Sequence, residues 1–108
     1  MKTLSFALAI AIFPFAAQAG EALTYVVDGE TFEGYRAVAK GDSRGLVLII
    51  HDWDGLTEYE RKRADMLADI GYDAFALDLF GKGNRPIDPT AKKRETGRLF
   101  RTESACAV

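Results

Sequence analysis

The side chains able to do chemistry gather at one junction. The sequence holds one histidine, His51, and one cysteine, Cys106. His51 is followed directly by Asp52, Trp53, Asp54 and Gly55. An imidazole can serve as a general base, and two nearby carboxylates can share acid and base roles. A thiol becomes a nucleophile when it is exposed and its thiolate is favoured. Each residue also has a plainer reading. His51 suits a structural histidine of a loop, Asp52 and Asp54 suit solvated or capping carboxylates, and Trp53 suits a pocket or surface aromatic. Asp78, after a second apolar run, reads as a loop anchor through hydrogen bonds. The single cysteine excludes an intramolecular disulfide, a Cys-x-x-Cys motif and a multi-cysteine zinc site. The single histidine excludes the usual multi-histidine metal sites. Gly81-x-Gly83 lacks the third glycine or Lys-Ser/Thr of a phosphate loop. No cofactor and no metal are expected.

Such residues need elements to hold them. Gly45 to Ile50 is an apolar run without polar alternation, the pattern of a central strand buried on both faces. Ligands of open α/β sheets sit beyond the carboxyl ends of the strands, which is where His51 and Asp52 fall. Thr57 is placed to cap a helix, and Glu60 completes a capping box three residues on. Tyr59, Met66, Leu67 and Ile70 recur at helical spacing, and Gly71 is a stop signal. Asp73 to Phe80 reads as a second buried strand, parallel to the first within a βαβ unit. Upstream, Ala22 to Val27 and Thr31 to Ala39 read as a hairpin about Asp28-Gly29, with Gly34 marking a bulge or a close approach. Downstream, Asp88 and Pro89 suit the N-cap and first position of a helix over residues 91–100, whose basic run reads as a solvated face.

The totals are those of an ordinary small globular domain: 108 residues, 48% hydrophobic, 28% charged and a net charge of −2. That balance carries no pull toward nucleic acid or a membrane surface. Residues 1–19 read as a secretory signal peptide. Lys2 supplies the positive start, residues 4–17 are almost wholly apolar, and Ala17-Gln18-Ala19 is an A-x-A cleavage site. The apolar stretch is shorter than the roughly 20 residues that span a bilayer. The expected domains are therefore a leader, 1–19, and a partial domain, 20–108, exported to a bacterial periplasm and free of the membrane after cleavage. Cys106 would then be an unpaired thiol in an oxidising compartment.

The block His51-Asp52-Trp53-Asp54-Gly55-Leu56, the capped helix, and Gly71-Tyr72-Asp73-Ala74-Phe75-Ala76-Leu77-Asp78-Leu79-Phe80-Gly81-Lys82-Gly83 together resemble the N-terminal half of the dienelactone hydrolase family. Asn84-Arg85-Pro86 and Gly97-Arg98-Leu99-Phe100 fit one branch of it. The resemblance covers about residues 30 to 100. It implies an α/β-hydrolase fold in which the hairpin and the βαβ unit stand before the nucleophile elbow. It also implies ester or lactone hydrolysis of a small molecule by a Cys or Ser nucleophile. On that resemblance Asp52 is a carboxylate near the nucleophile, and the Trp53 backbone N–H is an oxyanion-hole donor.

The sequence departs from the family pattern in three places. Asp52 stands where Glu is usual, and Leu77 where Pro is usual. No Gly-x-Cys/Ser-x-Gly elbow with a following Asp and His is present. Cys106 lies in Ser104-Ala105-Cys106-Ala107, without flanking glycines, and His51 precedes any candidate nucleophile. Three readings follow: a truncated, exported family member inactive as written; a non-enzymatic remnant that binds a small ligand or partner; or a frameshifted copy of a longer enzyme. The partial sheet is expected to leave a long apolar edge exposed and to fold poorly.

Overall fold

The computed structural model describes residues 20–106, with side chains through residue 101. The leader reading of residues 1–19 and the side chain of Cys106 lie outside that range. Strands β1 (Glu21–Val27), β2 (Glu30–Ala37), β3 (Leu46–Ile49) and β4 (Asp73–Ala76) form one sheet in the order β1-β2-β4-β3. Helix α1 (Glu58–Asp69) lies between β3 and β4, and α2 (Pro89–Cys106) follows. Among the described residues no helix is long and apolar enough to cross a membrane.

The hairpin forms where its turn chemistry places it. Asp28 and Gly29 both have positive φ, 49° and 79°, as the tight turn between right-twisting strands requires. The β1–β2 register runs unbroken from Glu21↔Arg36 to Val27↔Glu30, so Gly34 marks no bulge. It marks a close approach: a Cβ there would stand 2.7 Å from the Ala76 carbonyl oxygen and 2.8 Å from the Phe75 ring. β2 ends at Ala37, two residues earlier than the sequence suggests. There the chain leaves the sheet, and the Ala39 N–H donates to Asp73 Oδ1 at 2.9 Å. That bond is the first cause holding the Asp73 carboxyl below its usual range.

β3 and β4 run parallel, Leu46↔Asp73 through Ile49↔Ala76, on either side of α1 in the chain. The capping box is complete. The Thr57 N–H donates to Glu60 Oε2 at 2.7 Å, and the Thr57 hydroxyl accepts the Tyr59 N–H at 3.3 Å. Such a cap is worth about 1 kcal/mol. Gly71, φ 97°, ends the helix at its C′ position. α1 lays Ala64 and Ala68 on Tyr35, Ala37, Ala74 and Ala76, with Ile49 and Leu67 alongside. Small residues on both surfaces bring helix and sheet close.

Three expectations need correction. The run at residues 45–50 is an edge strand of the described sheet, not a central one, and only one of its faces is covered. Val47 and Ile49 turn toward α1, while Leu46, Leu48 and Ile50 remain 66%, 56% and 67% exposed. An unbroken apolar run shows that both faces tolerate apolar residues; it does not supply the layer that covers the second face. β4 ends at Ala76, not near Phe80. The Leu77 N–H still bonds the Ile49 carbonyl at 3.0 Å, after which Asp78 draws the chain into a loop. α2 continues beyond Phe100 to Cys106. Its start matches expectation: Asp88 Oδ1 accepts the Ala91 N–H at 2.9 Å, and that bond is the main cause lowering the Asp88 pKa.

Candidate functional site

The loop after β3 and the loop after β4 leave the same end of the sheet, because their strands are parallel neighbours. They are stitched together by His51. Its ring is buried, with the Phe80 ring edge-on at 4.7 Å. His51 Nε2 accepts the Leu79 N–H at 3.0 Å, and Nδ1 stands 2.7 Å from the Asp52 carbonyl oxygen. An amide N–H can only donate and a carbonyl can only accept, so the proton sits on Nδ1 and the lone pair on Nε2. Both nitrogens are engaged with backbone, and the imidazole holds one loop to the other.

The turn beyond His51 is ordered by Asp52. Its Oδ1 accepts the Asp54 N–H at 3.0 Å, and its carbonyl accepts the Gly55 N–H at 3.2 Å. The amides on either side of Asp54 then differ. Among the described residues the Trp53 N–H has no acceptor, while both following amides are bonded inside the turn. The Asp52 side chain is exposed, with its second oxygen directed to no described partner. Asp54 pairs not with Asp52 but with Lys92 of α2. The Lys92 ammonium also stands 5.1 Å from the centre of the Trp53 ring, in cation–π range. Leu56, almost fully buried, closes the turn, and its carbonyl accepts the Arg85 Nε–H.

The second loop is built round Asp78, which is 1% exposed. Asp78 Oδ1 accepts from the Phe80 N–H at 3.1 Å, the Gly81 N–H at 3.2 Å and Arg85 Nη1 at 3.3 Å, and Oδ2 accepts the Glu33 N–H at 3.0 Å. The Tyr25 hydroxyl donates to the Asp78 carbonyl at 2.8 Å and accepts the Asp78 N–H at 3.0 Å. Burial, the larger cause, raises the Tyr25 pKa. Arg85 Nη1 also donates to the carbonyls of Gly81 and Asn84 at 3.2 and 2.7 Å. A buried carboxylate this fully matched anchors a loop; no oxygen is left for a substrate.

The structure thus brings His51, Asp52, Trp53 and Asp54 to one mouth. Cys106 lies at the last position of α2, in a separate element. Among the described residues no group of three or more His, Cys, Asp or Glu side chains is placed to hold a metal ion. Two contributors were not legible in the sequence: Lys92, one of several basic residues on α2, and Arg85, a lone arginine in a loop. No local signal separates Lys92 from Lys93 beside it; only the placement of α2 does.

The dienelactone hydrolase family model matches residues 32–107. The chain belongs to the dienelactone hydrolase family. Solved structures agree with the fold. A protein designated m3DLH superposes with a TM-score of 0.71 at 27% identity, over 80% of this chain and 37% of that one. A dienelactone hydrolase-like promiscuous phosphotriesterase, P91, from metagenomic libraries superposes at 0.66 and 20% identity, over 79% and 36%. A soluble variant of monoglyceride lipase from Saccharomyces cerevisiae superposes at 0.51 and 18% identity, over 92% and 35%. The chain spans little more than a third of the length of each. A comparison with curated proteins yields no match.

Proposed function

We propose that this chain is the oxyanion side of an exported ester or lactone hydrolase. The Trp53 N–H is the donor that meets the developing oxyanion, and Asp52 is the carboxylate facing the nucleophile's position. One observation carries the reading: the Trp53 amide, at the carboxyl end of β3, has no acceptor among the described residues, directly before two amides that are bonded inside the turn. A donor so placed, held by a rigid turn, needs no reorganisation when charge develops on a carbonyl oxygen, and losing one costs roughly 100- to 1,000-fold in rate. Family membership supports the ester or lactone substrate class.

An oxyanion hole stabilises an intermediate that a nucleophile has made. The 108 residues contain no Gly-x-Cys/Ser-x-Gly elbow, and Cys106 sits on a helix without the strained turn of an elbow. The chain by itself is therefore a truncated apparatus and inactive. Turnover of p-nitrophenyl acetate by the purified protein should equal the buffer background. Turnover above background that disappears in Cys106→Ala would restore Cys106 as nucleophile and end this reading. Reading the genomic sequence beyond codon 108 in all three frames is the companion test, and an elbow motif there would mark the nucleophile side of a longer enzyme.

A further inference from the structure

β1 begins at Glu21, and the residue before it, half-buried Gly20, is tied to α1. The Gly20 N–H donates to Asp65 Oδ1 at 2.9 Å, across 45 positions of sequence. The same oxygen accepts the Tyr35 hydroxyl at 2.9 Å. Gly20 lies against β2 so closely that a Cβ would collide with the Arg36 carbonyl oxygen and stand 2.6 Å from the Tyr35 ring. The backbone oxygen cannot give way, so only glycine fits. Tyr35 is itself 7% exposed. Burial, then the hydrogen bond to Asp65, pushes its pKa up to about 12. The seat is made of a carboxylate, a phenol and a space without room for a side chain, and it lies immediately after Ala17-Gln18-Ala19.

We propose that the Ala19–Gly20 bond is a processing site, and that the Gly20 α-ammonium released there docks on the Asp65 carboxylate as part of the mature fold. The proposal rests on reading residues 1–19 as a leader, and it adds what the new terminus does. A leader peptidase uses water: a C–O bond forms at the Ala19 carbonyl carbon, the C–N bond breaks, the leader departs with a terminal carboxylate, and the Gly20 nitrogen takes both protons of the water. A neutral amide with one hydrogen becomes an ammonium with three. Its bond to Asp65, already made to a carboxylate, becomes an ion pair with opposite charges on donor and acceptor.

Cutting therefore tightens the tie between the start of β1 and α1. Asp65 bonds this nitrogen, and the charged groups acting on its neighbour Tyr35 are Asp65, Arg61 and Glu58 of α1, with Arg61 5.8 Å from the centre of the Tyr35 ring. From β2 come the Tyr35 phenol and the Arg36 carbonyl. An unpaired α-amino group titrates near pH 7.7–8.0; paired with Asp65 it holds its proton to higher pH. Near neutral pH, where the ammonium and the carboxylate are both charged, the added stability is present in full, and it disappears as pH rises through the paired value.

The test uses the full 108-residue chain expressed in a bacterial host, with the product weighed intact. The expected product begins at Gly20. Urea unfolding then compares this chain with one retaining Ala19 and one acetylated at Gly20. The free Gly20 chain should have an unfolding constant roughly fivefold smaller than either at pH 7, from an ammonium in place of an amide as donor to the Asp65 carboxylate. Asp65→Asn should remove that difference, as should raising the pH to 10. Where Asp65→Asn does not fold, the acetylated chain carries the comparison with every side chain intact. Equal unfolding constants for the free, acetylated and Ala19-retaining chains overturn the docking. So does a Gly20 α-amino group that titrates, by NMR, at the same pH as in Asp65→Asn, a measurement that needs no unfolding transition. A product beginning at another residue overturns the processing site, and a product beginning at Met1 also removes the leader reading.

Discussion

Two loops leave the carboxyl ends of neighbouring parallel strands, and they use an aspartate in opposite ways. In the loop after β4, Asp78 is buried, and its two oxygens accept from three backbone amides and Arg85. In the loop after β3, Asp52 is exposed; one oxygen orders the turn, the other is open, and the next amide is left without a partner. The first is a buttress, and the second leaves a carboxylate oxygen and an amide open at the surface. His51 joins them, with one ring nitrogen for each loop. An unpaired donor at a strand end is tolerable because it faces solvent, and it stays aimed because its neighbour is saturated.

The largest test of this contrast is Asp78→Ala. Removing one member of a buried pair leaves the other charge and several amides unsatisfied, a loss of about 3–5 kcal/mol. That approaches the whole stability of a small domain, so the cooperative unfolding transition should vanish. A urea midpoint close to the parent's would show that Asp78 is no buttress. His51→Ala comes next. Loss of the acceptor for the Leu79 N–H should cost about 1–3 kcal/mol and speed hydrogen exchange at that amide. Unchanged exchange there would mean that the two loops are not joined through the imidazole.

Thr57→Ala removes the cap that fixes the far end of the β3 loop to α1, and should lower stability by about 1 kcal/mol. Capping that does not matter here would leave the unfolding midpoint where it was. The smallest energetic effect belongs to Lys92→Met. Its ion pair with half-exposed Asp54 contributes about 0–1 kcal/mol, but it holds the ring of Trp53, the chain's single tryptophan. Acrylamide should quench Trp53 more readily in Lys92→Met than in the parent, with Lys92→Arg in between. Identical quenching in all three proteins would place the loop's order wholly within the loop and His51.

Much of this was readable in the sequence where the signal is local. Thr57 with Glu60, Asp28 with Gly29, Asp88 with Pro89, and Gly71 after an amphipathic run all act within a few residues of themselves, so spacing alone reveals them. The position of the loop from His51 to Leu56, between β3 and α1, was legible as well, since it lies directly between an apolar run and a helix cap. The partners of that loop were not legible. Lys92 and Arg85 are distinguished only by where α2 and the β4 loop come to rest, and nothing in the basic run at residues 92–94 sets one lysine apart.

By itself, then, the sequence determined the elements, their order and the family, because helix caps, turns and apolar periodicity depend on near neighbours. It also determined that no nucleophile elbow lies within these 108 residues. Only the tertiary structure decided that β3 lies at the edge of the described sheet, that β2 joins β4 antiparallel, and that Asp78 meets Glu33, Tyr25 and Arg85. It also decided that Gly20 reaches Asp65. The bonds of Asp78 to Glu33 and Tyr25 and of Gly20 to Asp65 cross 45 or more positions, and the strand pairings are also long-range; Arg85 alone is near, seven residues along its own loop. Their existence depends on which strands become neighbours, and a linear pattern does not contain that choice.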